Sequence, residues 1–71
     1  MKEYAVVFEK TDTGWTAYVP DLPGLGVAGS TFKETELLIR KVIDFHIEGL
    51  RADNEPVPEP TTRVARMPIS A

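Results

Sequence analysis

The stretch Thr31 to Leu50, TFKETELLIRKVIDFHIEGL, decides the fold. Thr31 followed three residues later by Glu34 has the spacing of a capping box. In that motif the hydroxyl accepts from the Glu34 N–H and the carboxylate reaches back to the Thr31 N–H, so a helix is predicted to start at Phe32. At about 100° per residue, Phe32, Leu38, Ile39, Val42, Ile43, Ile47 and Leu50 fall on one broad apolar stripe, with Thr35 and His46 inside it. Lys33, Arg40, Lys41, Asp44, Glu48 and Arg51 fall opposite. Leu37 lies on the polar side, either as ordinary surface scatter or as a contact point. The stripe persists to about Leu50, roughly 20 residues and ~30 Å of helix, enough to cover a small sheet. Asp53-Asn54-Glu55-Pro56 ends it, with Asn54 suited to a left-handed cap.

Before the helix the pattern changes to period two. Lys2 to Lys10 is rich in β-branched and aromatic residues and is followed by the turn Thr11-Asp12-Thr13-Gly14, so it reads as a strand. Tyr4, Val6 and Phe8 alternate with Ala5 and Val7, making its middle apolar on both sides and predicting a central position. Trp15 to Val19 forms the second strand of a hairpin, with Trp15, Ala17 and Val19 on one face and Thr16 and Tyr18 on the other. Pro20-Asp21-Leu22-Pro23-Gly24 must bend the chain, and Leu25 to Gly29 fits a short edge strand.

After the helix, Val57-Pro58-Glu59-Pro60 has proline at alternate positions and predicts a stiff, extended connector. Thr61 to Met67 then alternates as a last, half-exposed strand closed by Pro68. The expected architecture is a single α+β domain over residues 1–71, in two layers with β-β-β-α-β order. A right-handed crossover would set the last strand beside and parallel to the first, in spatial order 3-2-1-4. One sheet face then packs on the helix while the other stays open with apolar side chains on it, and the alternation does not say which set faces inward. Exposed apolar patches of that kind mark interaction surfaces.

Composition narrows the function. The chain has 71 residues, no cysteine and one histidine, His46, so it has neither a disulfide framework nor the ligands of a structural zinc site. A folded chain this short buries only roughly 60% of the surface its unfolded form exposes, which makes self-association as a homodimer or larger assembly an expectation. Eight Lys plus Arg against eleven Asp plus Glu give a net charge of −3, without the basic excess that phosphate neutralisation requires. The longest apolar run, Ala5-Val6-Val7-Phe8, is far shorter than the ~18 residues of a membrane span, and no basic-apolar-cleavage pattern opens the chain, so the default compartment is the cytoplasm.

Enzyme motifs are absent: there is no nucleophile elbow, phosphate-binding glycine loop or metalloprotease motif. His46 lies near the centre of the apolar stripe, where core packing outweighs a general-base role. A two-metal nuclease would need Glu9, Asp12, Asp21 and Asp44 as ligands, but they do not converge on one strand-end site. Cofactors and metals are therefore not expected. Trp15 reads equally as a partner anchor or as a cover for the small core. Arg63 and Arg66 alternate onto opposite faces of the last segment, a poor arrangement for reading a DNA groove.

Tyr18-Val19-Pro20-Asp21-Leu22-Pro23-Gly24, followed by Gly29-Ser30-Thr31-Phe32, resembles the HicB-like antitoxin family. The likeness continues through Ile39 to Leu50, similar to the family's helix, and through Asn54-Glu55-Pro56-Val57-Pro58-Glu59-Pro60, similar to its proline-rich exit. Leu25 stands where many relatives have Cys and Asn54 where many have Gly. What the resemblance implies is a degenerate ribonuclease H-like domain, itself no nuclease, that binds and blocks a small basic mRNA-cleaving ribonuclease of the HicA type. Relatives commonly add a DNA-binding segment, and nothing helical follows Ser70, so the chain resembles the neutralising domain alone. Occlusion by an acidic, aromatic-bearing surface is the expected mechanism, with Asp12, Trp15, Tyr18 and Asp21 as candidate partner-binding residues. The alternatives are an orphan dimeric regulator on operator DNA and a small ribonuclease H-like nuclease.

Overall fold

The computed structural model describes residues 2–71. Three antiparallel strands, β1 (Val7–Lys10), β2 (Trp15–Tyr18) and β3 (Gly26–Gly29), precede one helix, α1 (Phe32–Ala52). The sheet order is β1-β2-β3, with Val7 opposite Tyr18, Lys10 opposite Trp15, Trp15 opposite Gly29 and Tyr18 opposite Gly26. The hairpin turn is closed by Thr11 N–H donating to the Gly14 carbonyl at 2.8 Å and by Gly14 N–H donating to Thr11 Oγ1 at 3.1 Å. Gly14 is required there, because a Cβ would lie 2.1 Å from the Gly29 carbonyl oxygen of β3.

Between β2 and β3 the proline-rich bend resolves into two successive turns. Leu22 N–H donates to the Val19 carbonyl at 3.0 Å, and Leu25 N–H donates to the Leu22 carbonyl at 3.2 Å. Each turn has proline at its second position, and in the second turn Gly24 follows Pro23 with φ of 83°, as a type II turn demands. Together they drive Leu22 into the core beside Ala17, Val19 and Ile39. Tyr4, Val6, Phe8, Val27, Ile43 and Ile47 pack around that cluster. This settles the orientation that alternation left open: the set containing Tyr4, Val6, Phe8, Ala17 and Val19 faces α1.

The helix begins where the sequence places it. Thr31 Oγ1 accepts from Glu34 N–H at 3.1 Å, while the Glu34 carboxylate takes the Ser30 N–H at 2.6 Å and not that of Thr31 as expected. Buried Thr35 is satisfied by donating its hydroxyl to the Thr31 carbonyl at 2.8 Å. At the far end Glu55 N–H reaches the Leu50 carbonyl at 2.8 Å and Asn54 N–H the Arg51 carbonyl at 3.1 Å, with Asn54 at φ of 55°. That is a Schellman cap, with asparagine in the left-handed position. The inward stripe is narrower than its hydropathy suggested, since Phe32 and Leu38 remain exposed.

The predicted sheet order 3-2-1-4 is corrected. Among the described residues 61–67 form no strand, β2 is the central strand, and β1 is an edge that starts at Val7 instead of Lys2. The fourth strand of the ribonuclease H-like ordering is therefore missing. The reason is local: Thr61 and Thr62 N–H both donate to Asp21 Oδ2, each at 3.0 Å. Successive N–H groups of a strand point to opposite sides, so two consecutive donors converging on one oxygen mark a turned chain and leave no ladder. The tail still follows the body. Tyr4 Oη donates to the Pro58 carbonyl at 2.6 Å, Lys2 pairs with Glu59, and Val64 and Arg66 border a recess shared with Val6, Val7 and Phe8.

Candidate partner-binding surface

The strand register distributes the candidate residues over different faces. The sheet face turned away from α1 carries Val7, Glu9, Thr16, Tyr18, Gly26 and Ala28, a set with one carboxylate, one aromatic ring and no basic group. Tyr18 is 44% exposed at one end of the middle strand, directly opposite Val7. Asp12 lies exposed in the turn joining β1 to β2. Tyr18 and Glu9 thus share the outward side of the hairpin, Tyr18 at its open end opposite Val7, whereas the turn bearing Asp12 lies at the other end.

Trp15 lies on the other side. Its ring meets Phe32 edge-on at 5.3 Å, Phe32 in turn contacts Phe8 at 4.5 Å, and Lys10 Nζ sits 5.5 Å from the indole centroid. Trp15 therefore closes the end of the core beneath the helix N-terminus. Asp21 is also occupied within the chain: beyond the two N–H groups, its Oδ1 accepts the Thr62 hydroxyl at 2.7 Å and the Thr61 hydroxyl at 3.2 Å. The Thr62 backbone and hydroxyl donors are the leading cause that holds the Asp21 carboxyl below its ordinary value of 3.8.

The structure does not bring the four candidates together: Tyr18 lies on the outward sheet face, Asp12 in the turn at the other end of the hairpin, Trp15 on the helix side, and Asp21 against the tail. Glu9 was considered in the sequence only as a metal ligand, although its alternation with Phe8 was enough to put it on the Tyr18 face once that face was known to be outward. Among the described residues, no three His, Asp or Glu side chains come together in metal-binding geometry. Glu9, Asp12, Asp21 and Asp44 are spread over the sheet, two turns and the helix. No described helix is long and apolar enough to cross a membrane.

A three-stranded antiparallel sheet covered on one face by a single helix makes this a small α+β domain. Comparison with known families makes this specific. Residues 4–68 match the model of the HicB-like antitoxins of bacterial toxin–antitoxin systems, and the chain belongs to that family. It is 41% identical over 56 residues to an uncharacterised 14.9 kDa protein from the rep-hol intergenic region of Haemophilus phage HP1, covering 79% of this chain and 42% of the phage protein. It is also 40% identical over 57 residues to a UPF0150 protein of Synechocystis sp., covering 79% of this chain and 72% of that one. A UPF0150 protein of Thermoplasma acidophilum is 37% identical over 57 residues, covering 79% and 83% respectively. The chain thus spans less than half of the phage relative and most of the other two. No solved structure gives a significant match.

Proposed function

We propose that the chain neutralises a small, basic, HicA-like mRNA-cleaving ribonuclease in the cytoplasm by covering its RNA-binding face, without catalysing any reaction itself. The observation that carries this reading is the outward sheet face, where Glu9 and Tyr18 stand solvent-accessible and the strands themselves contribute no basic group. Such a face offers carboxylate and aromatic partners to the cationic surface a ribonuclease needs for phosphate, and its occupation excludes RNA. Asp12 extends the acidic character at the turn. Trp15 and Asp21 support the surface from within, one by sealing the core and the other by fixing the tail.

Co-expression with a small, basic, HicA-like ribonuclease tests this. The wild-type chain is expected to co-purify with that protein and to relieve its toxicity. Glu9→Lys combined with Tyr18→Ala should weaken the complex by at least about tenfold, as loss of an interface anchor does. Full neutralisation by the double variant would exclude the outward sheet face as the site of contact.

A further inference from the structure

We propose that the outward face of α1 is a self-association surface, on which two copies pair their helices antiparallel about a two-fold axis, Phe45 of each entering a recess of the other. Phe45 is 80% exposed, the most exposed large apolar side chain of the helix. Its ring forms one wall of a recess of about 300 Å³, lined also by Leu25, Val42, His46, Gly49 and Leu50. Knob and hole therefore sit side by side on one chain, which is the arrangement an isologous contact requires.

Gly49 supplies an independent observation. It lies inside α1, where glycine is the least favoured residue after proline. A Cβ at this position would meet nothing within 4 Å, so nothing within the chain calls for glycine there. A ring arriving from outside does.

The spacing fixes the direction of pairing. Leu38, Val42, Phe45, Gly49 and Ala52 follow intervals of four, three, four and three, which places them along one narrow seam. In an antiparallel pair centred on residue 47, Phe45 meets Gly49 of the second copy and Val42 meets Ala52, large against small in both directions. A parallel pair would set Phe45 against Phe45 and Gly49 against Gly49, a clash followed by a void. Charge agrees with the antiparallel choice. Lys33 and Lys41 flank the N-terminal end of the seam, whereas Asp53 and Glu55 rim the recess at its C-terminal end. Glu34, the carboxylate at the basic end, is engaged with the Ser30 N–H. In the register centred on residue 47, reversal sets Lys41 opposite Asp53 in both directions, and also opposes the helix dipoles.

Sedimentation equilibrium of the chain alone tests the proposal without any toxin, so its outcome is independent of the function proposed above. A mass twice the 7.9 kDa of the chain is expected at micromolar concentration. Phe45→Glu and Gly49→Leu should each raise the dimer dissociation constant by roughly tenfold or more while leaving the far-ultraviolet circular dichroism unchanged. Gly49→Ala should weaken the dimer and yet raise the thermal midpoint of the dilute monomer, two opposite signs that a purely structural glycine does not give. A wild-type chain that stays monomeric, or a dimer indifferent to Phe45→Glu and dissociated by Tyr18→Ala, would overturn it.

Discussion

At Asp21 one side chain decides the path of the eleven residues of the tail. Its two oxygens accept four hydrogen bonds from Thr61 and Thr62 and so determine where the tail leaves the proline-rich connector. Asp21→Ala is expected to release residues 61–71, seen as faster amide exchange at Thr61 and Thr62 with the hairpin unaffected. Acid should act in the same way. Because the folded-state carboxyl titrates below 3.8, its contribution is complete above the unfolded value and is lost as pH falls through the lower folded one. The Thr61 and Thr62 amide resonances should therefore hold their positions to a lower pH than an ordinary aspartate would allow. Gly14 likewise has no room for a side chain. Gly14→Ala presses a methyl group onto the β3 backbone and should cost about 1–3 kcal/mol in urea unfolding, the usual penalty of overpacking.

Among the elements, α1 is held at both ends by its own sequence. Thr31→Ala removes the cap on Glu34 N–H and should cost about 1 kcal/mol. Ile39→Ala, deep against Leu22 and Ala17, should cost about 2–5 kcal/mol by chemical denaturation. These features were readable beforehand because capping and helical periodicity are local: Thr31, Glu34 and Asn54 act on neighbours within five residues. The hairpin was readable for the same reason. The last strand was not, because Thr61 to Met67 alternates well enough for a strand while the group that diverts it, Asp21, lies forty residues away. β1 was drawn to the centre by the apolar character of both its faces, yet the tail and not a paired strand lies alongside its outer edge. On the candidate surface, alternation had already separated Trp15 from Tyr18. Only packing volume, with Tyr4, Val6 and Phe8 outweighing Ala5 and Val7, could have told which side is outward. Phe45 lies between the two stripes of α1, and its one signal in the sequence was the four-three spacing it shares with Leu38, Val42, Gly49 and Ala52.

For the molecule as a whole, the radius of gyration of 13.9 Å exceeds the roughly 11 Å of a compact chain of this length. The excess belongs to the long helix and to the tail, whose Val64, Met67 and Ile69 stay exposed. A body this small, with apolar groups left in water, gains stability from association. The thermal midpoint should accordingly rise with protein concentration for the wild type and lose that dependence in Phe45→Glu. The clasp at Asp21 also divides the chain into two regimes of motion. A fluorophore attached near Pro60 would tumble with the body, whereas one attached at Ala71 would wobble on a leash whose anchor is a single carboxylate. Depolarisation measured at the two positions would read the clasp as open or shut.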